Sequence, residues 1–268
     1  NGKTFTGTVD ASGHYSIEVP TTDLLADTEK TVRVVLAASD AAGNTANASS
    51  ERIYSVDTVA PTVQSLTLNK TTLKAGETAT VTVTFSEKVT AFDLADISAE
   101  NGTLSALSTS DGGLTWTATL TPSINIEDTT NVVQIGVAYA DLAGNAAVTS
   151  ANNTSGNYSI DSKAPTAIIQ LGNESLKAGQ STTLTITFSE AVQNFDNTDV
   201  TVENGTLGTL VSADGGRTWT GTYTPNANIE DLNNVVTLAA SYTDLIGNTG
   251  ATGSSGNYAI DTKSASAS

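Results

Sequence analysis

Hydrophobic and polar residues alternate with a period of two through much of this chain. In "TATVTVTFS" (78–86) valines and Phe85 take one side and threonines the other, as a strand with one buried face requires. "TWTATLT" (115–121) and "VVQIGVAYA" (132–140) continue the habit, and no stretch carries a convincing 3.6-residue period. Asn101-Gly102 and Asn204-Gly205 stand between strand-like runs and suit tight hairpins, where both turn residues need positive φ.

The pattern repeats on a longer scale. "LKAGETATVTVTFSEKV" (73–89) returns as "LKAGQSTTLTITFSEAV" (176–192), "DISAENGTL" as "DVTVENGTL", "INIEDTTNVV" as "ANIEDLNNVV", and "SGNYSIDSK" as "SGNYAIDTK". Two units therefore run from about Thr58 to Asp161 and from about Ser162 to Asp261, followed by a tail, 262–268. Residues 1–57 share only the closing half of the plan, through "DAAGN" and "IYSVDTVAP". That unit is either a divergent domain or one whose first strands are absent, and the second reading is favoured. About seven strands in roughly 100 residues is the size of an immunoglobulin-like sandwich. The expectation is an all-β chain of tandem immunoglobulin-like β-sandwich domains forming an elongated rod.

Composition narrows the chemistry. The chain has 268 residues, 38% hydrophobic and only 5% aromatic, so each core must be thin and built largely from Val, Leu, Ile and Ala. No apolar run is long enough to cross a bilayer, so membrane insertion is not expected. An opening "NGKTFTG" without Met looks like a piece of something longer. A net charge of -17, from 28 acidic against 11 basic residues, repels phosphate backbones and argues against nucleic acid. There is no cysteine, which closes disulfide and thiolate chemistry, and the single histidine, His14, lies in the turn-like "DASGHYS" without a nucleophile elbow.

One motif points toward catalysis. "SADGGRTW" (212–219) and its near copy "TSDGGLTW" (109–116) resemble the Asp-box of sialidase β-propellers. A propeller needs at least four blades of shorter repeats. Sialidases also need an arginine cluster, whereas Arg33, Arg52 and Arg217 fall in different units. The box therefore reads as a hairpin, with Asp214 accepting turn amides and Trp219 opening the next core strand. The chain is not expected to be an enzyme.

The acids carry more. Each unit closes on an Asp before a short linker: Asp57, Asp161 and Asp261, with Pro61 and Pro165 restricting the first two linkers. In a sandwich whose strand A leaves the linker end, the B–C and F–G loops return to that pole. "FSE" then brings Glu87 and Glu190, and D-x-x-G-N brings Asp141 and Asp244. Asp57 meets Glu87 and Asp141; Asp161 meets Glu190 and Asp244; Asp96 and Asp199, just past the B–C loop, are candidates to join. At the far pole "IED" places Glu127-Asp128 and Glu230-Asp231 toward the next junction, or merely on a solvated face.

Singly, each such acid is as readily a turn former as a ligand. Together they repel: two unit charges 4 Å apart cost about 4 kcal/mol at an effective dielectric near 20. Calcium is the expected remedy, because it accepts six to eight oxygens without rigid geometry, whereas magnesium demands strict octahedral packing.

The string "AP…LKAG…VTFSE…DI…NGTL…Y.D.AGN…ID" resembles the bacterial Ig-like domains repeated in giant type-I-secreted, non-fimbrial adhesins. The resemblance implies a calcium-stiffened rod on a Gram-negative surface, secreted and monomeric, contacting neighbouring domains of its own chain and mediating contact with host cells. It implies junction roles for Asp57, Asp161, Asp141 and Asp244, and a role for Asp40 at a junction upstream. Asp261 departs from the pattern, since no "AP" follows it. A competing function is a lectin-like module contacting host glycans, which needs Trp116 and Trp219 exposed, whereas the start of a core strand favours burial.

Overall fold

The computed structural model describes residues 2–265. Between Thr58 and Asp261 it is built from short strands, and each repeat folds around its own apolar cluster.

In the first repeat the alternation noted above becomes a four-stranded antiparallel sheet, ordered Val63–Leu68, Ala79–Phe85, Thr115–Pro122, Gly102–Thr109. Val81, Val83 and Phe85 point inward, and the threonines between them face outward. The opposing layer pairs Tyr158–Asp161 antiparallel with Glu127–Asn131 and parallel with Thr72–Lys74. Two shorter pairs flank it, Val133–Ile135 with Ile97–Ala99 and Ala140–Asp141 with Val89–Thr90. The second repeat copies this plan, with Ala167–Leu171, Thr182–Phe188, Thr218–Pro225 and Gly205–Leu207 as its larger sheet.

Aromatic residues fill the centre of each sandwich despite their scarcity. Phe92 packs edge-on against Phe85 at 5.1 Å and Trp116 at 5.4 Å between ring centroids, and Phe195 repeats this with Phe188 and Trp219 at 5.0 and 5.1 Å. A buried asparagine sets the register beside the closing strand. Pairing slips between Asp128 and Asn131, and the Asn131 amide spans the gap by donating to the Asp128 and Tyr158 carbonyls, 3.1 Å each, while accepting from Asn101. Asn234 does the same in the second repeat.

The first unit differs. Its strands Thr31–Ser39 and Thr45–Ile53 form a two-stranded antiparallel hairpin. Val32 is 37% exposed where its counterpart by the D-x-x-G-N alignment, Val133, is fully buried, so this face lacks the opposing layer that covers it in the repeats. A short helix, Thr21–Ala26, also departs from the all-strand expectation. It spans too few residues to show a period, begins after Pro20, and ends on carbonyls of Leu24 and Leu25 that Lys30 Nζ caps. No helix among the described residues is long and apolar enough to cross a membrane.

Candidate metal centre

Strand pairing brings the acids together. Glu87 and Glu190 lie two residues past the ends of Ala79–Phe85 and Thr182–Phe188, at the end of each larger sheet. Asp141 pairs with Val89, and Asp244 with Val192, so each D-x-x-G-N loop is fixed within two residues of the corresponding glutamate. The incoming linker supplies the third acid. Among the described residues two groups of three converge: Asp57, Glu87 and Asp141; and Asp161, Glu190 and Asp244. In each group one carboxylate oxygen per residue lies within 4.8 Å of the others.

The D-x-x-G-N loop is built to hold its carboxylate still. Asp244 Oδ1 accepts from the amides of Ile246 (3.0 Å), Gly247 and Asn248 (2.8 Å), and Asn248 Nδ2 donates to Oδ2 at 2.7 Å. Gly247 has φ +93°, which lets the loop curl back. Asn248 Nδ2 also reaches the Asp161 carbonyl at 2.9 Å, tying the loop to the linker. At the first junction Asn145 repeats the arrangement, donating to Asp141 Oδ2 at 2.7 Å and to the Asp57 and Val59 carbonyls at 3.2 and 3.3 Å.

The electrostatics of the two groups agree. Burial, then the charges of Asp57 and Asp141, push the Glu87 carboxyl up. Burial, then Asp161, Asp244 and Glu127, push Glu190 up. Burial likewise raises Asp161, against a hydrogen bond from the Lys163 amide. Burial works against the Asp141 charge too, but the Asn145 and turn hydrogen bonds outweigh it and hold that carboxyl below its ordinary range. Glu87 in the first group, and Asp161 and Glu190 in the second, therefore resist ionisation within an all-oxygen set short of positive partners. Such a set fits a hard divalent cation of calcium's type, and each carboxylate oxygen that accepts one hydrogen bond keeps a lone pair for it.

The other candidate acids go elsewhere. Asp96 and Asp199 are buried and close their own turns, Oδ2 accepting from the Asp93 amide at 3.0 Å and the Asp196 amide at 2.8 Å; Asp199 also accepts from Ser241. Asp128 and Asp231 accept from Asn101 (2.9 Å) and Asn204 (3.0 Å), serving the register network rather than a junction. Asp40 folds its loop as Asp141 does, with Asn44 Nδ2 at 2.8 Å. Asp261 accepts from the Lys163 counterpart, the Lys263 amide, at 3.3 Å. Neither belongs to a group of three acids among the described residues. Glu127, read in the sequence as facing a junction or a solvated face, pairs across strands with Asp161 and forms an ion pair with Lys163 at 3.5 Å.

The Asp-box residues are turn formers here. Asp214 Oδ1 accepts from the amides of Arg217 (3.1 Å) and Thr218 (2.8 Å) and from Ser212 Oγ (2.9 Å), and these bonds, Thr218's first, bring its carboxyl to about 2. Asp111 does the same with Leu114 and Thr115, also at about 2. Trp116 and Trp219 are half-buried, each indole N–H held by a glycine carbonyl of its own box.

Both repeats match one protein family, described as bacterial Ig-like domain, over residues 57–160 and 161–260. The chain belongs to that family. Asp57 and Asp161 are the first residues of the two matched repeats, and each belongs to one of the two acidic groups. Among solved structures, the Yersinia pseudotuberculosis adhesin InvE is similar at 15% identity, with 74% of this chain covered and a TM-score of 0.25. The I9–I11 tandem of titin is similar at 8% identity, 74% coverage and a TM-score of 0.34. The chain spans 58% and 65% of those two chains. No curated protein sequence matches. Membership of the family points to a structural module.

Proposed function

We propose that this chain is a calcium-rigidified stalk segment of a large bacterial cell-surface adhesin, secreted by a type I route and holding a distal surface toward host cells. The observation that carries the reading is the convergence of Asp57, Glu87 and Asp141, and again of Asp161, Glu190 and Asp244, at successive domain junctions. Each group joins a linker acid to two loops of the following repeat, so a cation held there resists bending at the hinge. Main-chain oxygens and water complete a calcium shell of six to eight. Extracellular calcium modules work near 10⁻⁴–10⁻³ M, roughly the concentration outside cells, so the rod stays pliable during export and stiffens afterwards.

Calorimetric titration of calcium into the metal-free chain tests this. Saturable uptake in the sub-millimolar to millimolar range is expected, abolished by Glu87→Gln with Glu190→Gln. A wild-type chain that takes up no calcium, or a double variant that takes it up unchanged, removes the reading. Half-buried, internally bonded tryptophans give the lectin alternative no support.

A further inference from the structure

The junction at Asp161 contains a contact with no counterpart at the Asp57 junction among the described residues. The Lys74–Glu77 turn of the first repeat reaches across to the D-x-x-G-N loop of the second. Lys74 Nζ donates to the Gly247 carbonyl at 3.1 Å, and the Ala75 amide donates to Asn248 Oδ1 at 2.9 Å. Asn248 is thereby saturated between two domains, since its Nδ2 already serves Asp161 and Asp244.

The turn is prepared for this. Lys74 pairs in parallel register with Asp161, which fixes its backbone beside the linker. The turn closes on itself through the Glu77 amide to the Lys74 carbonyl, 3.2 Å, with Gly76 at φ +75°. The loop is prepared too: Gly247 needs its φ of +93°, and a Cβ there would stand 2.7 Å from Lys74 Nζ and push the lysine terminus aside. At the equivalent Gly144 of the first repeat, and at Gly43, nothing lies within 4 Å of that position. The L-K-A-G turn has no counterpart in residues 1–57, which accounts for the difference.

We infer that the Lys74–Glu77 turn is an interdomain docking surface in its own right, a latch that seats a D-x-x-G-N loop without metal. The Asp161 junction therefore stays ordered when the Asp57 junction does not. Lys177–Gln180 has the same form: Lys177 pairs with Asp261, the Gln180 amide meets the Lys177 carbonyl at 3.1 Å, and Gly179 has φ +77°. Its fitting partner is another Ig-like unit that presents a D-x-x-G-N loop.

The absence of cysteine allows a clean test by paired spin labels on the full chain. Thr103→Cys with Thr206→Cys spans the Asp161 junction, and Val35→Cys with Thr103→Cys spans the Asp57 junction; all three sites are exposed. In chelator, the distance distribution across Asp161 is expected to be narrow and that across Asp57 broad. Lys74→Met keeps the stem and removes the donor. It should raise the undocked fraction across Asp161 roughly tenfold, equivalent to about 1.4 kcal/mol, whereas Lys177→Met leaves both distributions unchanged. Calcium added to Lys74→Met reports separately on the acidic group, so failure of the metal reading and failure of the latch are distinguishable. Equal breadth across both junctions in chelator, or no response to Lys74→Met, overturns the inference.

Discussion

Replacing Glu190 by Gln should stabilise the second repeat without metal and destabilise it with calcium. One carboxylate oxygen each from Asp161, Glu190 and Asp244 lies within 4.8 Å of the others. At that distance two charges repel by about 3.5 kcal/mol at an effective dielectric near 20, and Glu190 faces two of them. Glu190 and Asp161 keep partial contact with water, and exposed pairs in practice amount to about 1 kcal/mol or less. Removing the charge while keeping the shape should therefore relieve roughly 1 kcal/mol, a rise of about 4–8 °C in Tm for a domain of this size. Calcium at a hundredfold above its Kd adds about 2.7 kcal/mol to the wild-type fold. A site weakened about a hundredfold retains only about 0.4 kcal/mol of that, so the variant falls below wild type by roughly 1 kcal/mol. Scanning calorimetry in chelator and in calcium reads both signs. A variant that is less stable in both conditions, or unchanged in both, refutes the claim that these carboxylates repel one another and share a cation.

Other consequences can be checked on the same chain. Tyr139→Phe should be neutral or slightly stabilising, because its buried hydroxyl has no hydrogen-bond partner. Tyr242→Phe should cost about 1 kcal/mol in a denaturant melt, because that hydroxyl donates to the Ala251 carbonyl at 2.7 Å. The metal-free chain should gain stability as pH falls from neutrality toward the ordinary glutamate value of 4.5. Glu87, Glu190 and Asp161 have raised folded pKa values, so the native state takes up protons first and the repulsion is relieved. Below 3.8 the sign reverses as Asp111 and Asp214 approach about 2: their depressed values contribute stability that is complete above the unfolded pKa and lost on protonation, and melts against pH in chelator show both limbs. Tryptophan emission should be blue-shifted and partly shielded from acrylamide; red-shifted, freely quenched emission would contradict the packing on Phe92 and Phe195.

The sandwich plan and the acidic groups were legible because both follow from periodicity and chain direction. Alternation in 78–86 fixes which side of the strand is buried. Once strand A leaves the linker, Glu87 and Asp141 must return beside Asp57. Asp96 and Asp199 were harder, because a candidate acid near the right pole is distinguished from a ligand only by its turn: a hydrogen bond accepted from the amide three residues earlier directs the carboxylate inward. Asp128 and Asp231 depend on a register slip that alternation does not reveal. The Lys74 latch was invisible for another reason. L-K-A-G reads as an ordinary turn, and only parallel pairing with the strand ending at Asp161 places it against the next domain. The helix Thr21–Ala26 is too short to leave a period.

Small-angle scattering on the full chain, in calcium and then in chelator, tests the central claim most directly. The account predicts a longer, stiffer particle with calcium and a wider spread of shapes without it, arising chiefly at the Asp57 hinge while each sandwich stays folded. Superimposable profiles in the two conditions would mean that the gathered carboxylates do not govern the hinges.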